Sequence, residues 1–109
     1  MKDSSEQSFR LAEQLREQDK LSLIYSEASE IARCVQERLM ESLEFCGEAE
    51  INVVVNVDED WPYTVYVEAE AETRHCSRAK VQELVEKTIE ECVESARNRL
   101  EKQGIYALP

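Results

Sequence analysis

At 109 residues, with 42% hydrophobic and 34% charged side chains, the chain holds enough apolar material for one modest core without metals or cross-links. No apolar run approaches the roughly 18 residues of a membrane span, and the opening MKDSSEQSFR lacks the apolar stretch of a signal peptide, so a cytoplasmic protein is expected. The net charge of −11 is unevenly spread: the stretch from Glu50 to Thr73 carries seven acidic residues and no basic one, which excludes a phosphate-binding surface there and suits a basic protein partner.

Residues 1–20 read as an N-terminal arm or short helix. Phe9, Ala12 and Leu15 recur at helical spacing among polar neighbours, and Ser4 or Ser5 is a candidate cap. The stripe is narrow, and chain ends are poorly ordered unless tied down, so a mobile extension that docks loosely is expected. The alternative is an arm that grips a partner.

A single α+β domain is expected over residues 21–104. Its first long helix starts at about Asp19 or Lys20 and ends near Phe45. Leu21, Ile24, Ala28, Ile31, Val35 and Leu39 form its buried stripe, which Ala32, Met40 and Leu43 widen. Gly47 is the expected stop. Next come two alternating runs, INVVVNV and YTVYVEAEAET, joined by the acidic loop Asp58 to Pro62. Period-two alternation of Ile51, Val53, Val55 and Val57, and of Tyr63, Val65, Val67, Ala69 and Ala71, predicts an antiparallel β-hairpin. Pairing Val57 with Tyr63 sets Val55 opposite Val65 and Val54 opposite Tyr66.

Ser77 is a candidate N-cap for a second long helix that stops before Gly104, with Val81, Leu84, Val85, Thr88, Ile89, Cys92, Ala96 and Leu100 inward. Residues 105–109, with Ile105, Tyr106 and Leu108, form an apolar tail. At 1.5 Å per residue the helix is about 40 Å long and overhangs a first strand of about 26 Å. Overhang and tail are thus available either to the N-terminal arm or to another chain.

An isolated hairpin is marginal, and both of its strands present open edges. Pairing with a second copy, or with another protein, would extend it to a larger sheet, so a homodimer or heterodimer is expected. The polar side of the hairpin carries Asn52, Val54, Tyr66, Glu68 and Glu70. With Trp61 in the loop and Ile105 and Tyr106 in the tail, these are the candidate interface residues.

Chemical motifs are sparse. The four cysteines lack paired CxxC spacing, and a reducing compartment makes free thiols the default. Cys34, Cys46, His75 and Cys76 are candidate zinc ligands by residue type. Cys76, next to His75 at a helix start, is the best candidate for a reactive thiol. Asp58, Glu59 and Asp60 lack the glycine and distal glutamate of a calcium loop. No P-loop, dinucleotide fingerprint, HExxH or nucleophile elbow occurs. No catalytic residue and no cofactor are expected, and the chain reads as a non-enzyme.

The segments SEASEIARCVQERL, INVVVNV, YTVYVEAEAET and AKVQELVEKTIEECVESARNRL, within residues 21–103, together resemble a small archaeal protein family. The resemblance implies a long helix, a hairpin and a second long helix. It also implies a distant similarity to the smallest subunit of the KEOPS tRNA-modifying complex, which dimerises, and genes often placed near that of the prefoldin beta subunit. The function expected on these grounds is a non-catalytic, acidic protein-interaction subunit, with KEOPS as the assembly. One alternative is a chaperone-like assembly factor that shields basic clients. Another is a small metal or thiol protein using His75 and Cys76.

Overall fold

The computed structural model describes residues 3–12, 17–60 and 62–108. Strand β1 (Asp3–Ala12) is followed by helix α1 (Glu17–Ser42), a 3-10 turn (Glu44–Cys46), strands β2 (Ala49–Asp58) and β3 (Tyr63–Thr73), helix α2 (Arg78–Lys102) and the short strand β4 (Tyr106–Leu108). The fold is α+β: a four-stranded antiparallel sheet in the order β2-β3-β1-β4, with both helices on one face. Helix α1 packs mainly over β2, and α2 over β1 and β3.

The core lies between the layers. Alternate residues of β3, from Tyr63 to Ala71, are buried, against Ile24, Ile31, Val35 and Leu39 of α1 and Val81, Val85, Ile89 and Val93 of α2. Both helices therefore follow the stripes that their spacing predicts. Met40 is the exception: it lies just off the buried stripe of α1 and is 59% exposed. Phe45, also exposed, belongs to the 3-10 turn beyond α1.

Residues 3–12, expected as an arm or short helix, are instead a strand, and a central one. β1 pairs along nine positions with β3, from Asp3↔Ala71 to Leu11↔Tyr63, and its far end pairs with β4. Phe9 and Leu11 point into the core and are buried, while Ser4, Glu6, Ser8 and Arg10 are exposed. The alternation is masked because the inward positions before Phe9 are the polar Ser5 and Gln7, half-buried in the strand. Leu15, the third member of the supposed helical stripe, lies outside the described residues.

The sheet is thus extended from within the chain, by β1 on the free side of β3. β3 is an interior strand, and only β2 and the β4 side remain as edges. The hairpin keeps the predicted facing of every residue but slides by two positions: Val57 pairs with Val65, Val55 with Val67 and Val53 with Ala69. A slip of two preserves the inward and outward sets, so alternation alone did not distinguish the registers.

The C-terminal tail is also part of the fold. Gly104 at φ 88° ends α2 in a Schellman turn, in which Ile105 N–H donates to Leu100 O at 2.9 Å and Gly104 N–H to Glu101 O at 3.0 Å. Ile105 and Leu100 are both buried, the apolar contact that accompanies this motif. Ile105, at 1% exposure, is therefore core and not interface. At the other end, the Ser77 side chain accepts from Lys80 N–H at 3.2 Å, the N-cap read from the sequence.

All four cysteines are bonded. Cys34 of α1 joins Cys92 of α2, with Cα atoms 5.9 Å apart, and Cys46 joins Cys76, with Cα atoms 5.1 Å apart. The expectation of free thiols is overturned. It rested on compartment and on CxxC spacing, neither of which registers two pairs separated by 58 and 30 residues.

Candidate functional site

With both helices on one side, the other side of the sheet is an open face. It is built from the outward residues of three strands. β2 supplies Asn52, Val54 and Asn56, β3 supplies Tyr66, Glu68 and Glu70, and β1 supplies Ser4, Glu6, Ser8 and, at its far end, Arg10. Five of the sequence-derived candidates, Asn52, Val54, Tyr66, Glu68 and Glu70, come together here.

The two-position slip changes their neighbours. Val54 stands opposite Glu68 and Asn56 opposite Tyr66, so Val54 and Tyr66 meet on a diagonal instead of face to face. They are 40% and 46% exposed, and with Glu6, Ser8, Asn56 and Glu68 they line a shallow depression of about 420 Å³. Carboxylates flank one side of this apolar centre: Glu6 faces Glu68 directly across β1 and β3, and Glu68 stands opposite Val54. Like charges in such positions repel, so the face favours a cationic counterpart.

The remaining candidates scatter. Tyr106, on β4, is 47% exposed but lies at the far edge of the sheet, two strands from β2's neighbour β3. Trp61 falls outside the described residues. The acidic loop is engaged locally: Asp58 Oδ1 accepts from Asp60 N–H at 3.0 Å. Partial desolvation, then hydrogen bonding to the neighbouring Glu59 and its charge, raise the Tyr25 phenol above its ordinary value of 10.0.

The proposed zinc set does not assemble. Cys34 is bonded to Cys92 on the helix layer, whereas Cys46 and Cys76 are bonded at the turn before β2. Cys76 is therefore no free nucleophile. The backbone N–H of His75 donates to Cys46 O at 3.0 Å, and the His75 ring lies against Gly47. Among the described residues no three or more His, Cys, Asp or Glu side chains cluster as metal ligands would.

The sequence reading missed β1's share of the open face and the flank of α1 carrying Tyr25 and Met40. The polar alternation Ser4, Glu6, Ser8, Arg10 was the available signal for the first. A second depression, of about 590 Å³, opens between β1 and the end of α2, where the Arg97 guanidinium sits 5.1 Å from the centre of the Phe9 ring. Its rim mixes Arg10 and Arg97 with Glu94 and Glu101, so it has no dominant charge.

No helix among the described residues is long and apolar enough to cross a membrane. No family model matches the chain, and no curated protein does. Among solved structures it is similar to a protein from Thermococcus onnurineus NA1, at 14% identity and a TM-score of 0.64, over 94% of this chain and 96% of that one. At that identity the likeness establishes a shared fold for the whole domain.

Proposed function

We propose that the chain is a non-catalytic protein-interaction subunit that offers the open face of its sheet to a basic protein partner. The observation that carries this reading is the pair Val54 and Tyr66, exposed on the helix-free side beside the carboxylates of Glu6 and Glu68. An apolar centre with a charged rim is the arrangement of a protein interface, the centre supplying burial and the rim orientation. The assembly to which the family resemblance points is the KEOPS complex. An accessory subunit there would bind protein through this face and leave tRNA to its partners, because the facing carboxylates repel phosphate.

The test is affinity capture of the tagged protein from its own host at moderate salt, beside a variant with Val54→Lys and Tyr66→Lys. Both residues are exposed, so the variant keeps its helical circular-dichroism signal. Stoichiometric KEOPS subunits with the parent protein and none with the variant are expected. Recovery of the protein alone, or equal recovery by the variant, overturns the reading.

A further inference from the structure

β2 is a sheet edge ten residues long, about 33 Å at 3.3 Å per residue. Proteins blunt such edges with charge, proline or bulges, yet between Glu50 and Asp58 this strand reads INVVVNV and has none of the three. Its inward residues Ile51, Val53, Val55 and Val57 are only half-buried, whereas Val65, Val67, Ala69 and Ala71 opposite them on β3 are fully buried. The core is therefore unfinished along this edge.

Helix α1 packs over the same edge strand. Its side toward α2 is defined by the Cys34–Cys92 bond, Arg38 with Glu91 at 2.8 Å and Glu27 with Arg99 at 2.8 Å. At about 100° per residue the opposite flank carries Tyr25, Ala32, Gln36 and Met40. The Tyr25–Glu59 contact places that flank beside the end of β2. Tyr25 and Met40 are 45% and 59% exposed, so a strand added to β2 would meet a largely uncharged roof above and the carboxylates of the open face below.

We propose that β2 is the docking edge for one extended, amphipathic basic strand of a partner protein, its alternate side chains apolar toward Ala32 and Met40 and basic toward the open face. The docking presupposes the interaction role proposed above and names the edge and the chemistry of the partner. Charge favours such a strand over a second copy. Self-pairing about a two-fold axis brings two chains of net charge −11 together, and of the two nine-residue registers that keep the facing, the one centred on Val54 sets Glu50 against Asp58 at both ends. Backbone pairing would supply affinity and the alternating side chains specificity.

The probe is a peptide of about ten residues alternating Val and Lys, held at a concentration where it does not self-associate. Amide hydrogen exchange is followed on the full chain with its disulfides intact. The expected result is protection of β2 amides by this peptide. Binding should weaken roughly tenfold for a Val and Glu peptide, for a Ser and Lys peptide, and in the variant Met40→Glu, with loss at high salt for the Val and Lys peptide. Absent protection of β2, equal binding of the Ser and Lys peptide, or a concentration-dependent dimer that protects β2 without peptide would each overturn the proposal. If β2 stays unprotected while Tyr66→Lys still releases the cellular partner, the edge assignment fails and the interaction role stands.

Discussion

Cys34 of α1 is bonded to Cys92 of α2 at the middle of the helix layer, and on either side of that bond an ion pair crosses between the same helices, Arg38 to Glu91 and Arg99 to Glu27, each at 2.8 Å. The covalent link carries most of the energy. Exposed ion pairs contribute at most about 1 kcal/mol, whereas closing a 58-residue loop in the unfolded chain is worth about 4 kcal/mol in the chain-entropy account. Replacing Cys34 and Cys92 together by Ser should cost about 3 kcal/mol or more in urea unfolding. The fully reduced protein should lose less than the sum of its two bonds, because the Cys46–Cys76 loop lies inside the larger one. Equal stability with and without reductant would remove the disulfides from the account.

Gly47 should not tolerate a side chain. Its φ of 82° and ψ of −151° lie in a region that only glycine occupies readily, and an added Cβ would sit 2.5 Å from Cδ2 of His75. Gly47→Ala is expected to destabilise by about 2 kcal/mol. The companion substitution His75→Ala should recover the part due to the clash and leave the backbone part in place.

β1 offers a direct check on the topology. Leu11 is 1% exposed and packs in the central core, so Leu11→Ala should cost about 3 kcal/mol in global unfolding. A loosely docked arm would lose only a few tenths. Ser8→Ala, on the exposed side of the same strand, serves as the control with an effect within about 0.5 kcal/mol.

Glu30 has its carboxyl lowered from the ordinary 4.5, chiefly because Arg33 donates to it at 2.6 Å. A depressed carboxyl contributes stability that is present above its unfolded pKa and is lost as pH falls through the folded value. The window is therefore acidic, below about 4.5. Arg33→Gln should move the Glu30 titration, followed by NMR of its side-chain carboxyl, back up toward 4.5, and an unmoved titration would break the assignment.

Much of this was legible in the sequence because it depends on local periodicity. The stripes of α1 and α2, the Ser77 cap, the stop at Gly104 and the facing of every hairpin residue follow from side-chain spacing and a few special backbone positions. These also brought Asn52, Val54, Tyr66, Glu68 and Glu70 onto one face. What only the tertiary structure decided was non-local. β1 is a strand because β3 offers it nine partners, although its inward Ser5 and Gln7 hide the alternation. The hairpin register depended on how the strands end, since a slip of two changes no facing. The cysteine pairs, 58 and 30 residues apart, have no signature until the helices cross. Ile105 turned inward because the Schellman turn carries it back over Leu100. Periodicity reports which side of an element is apolar; which element covers that side depends on contacts between distant parts of the chain.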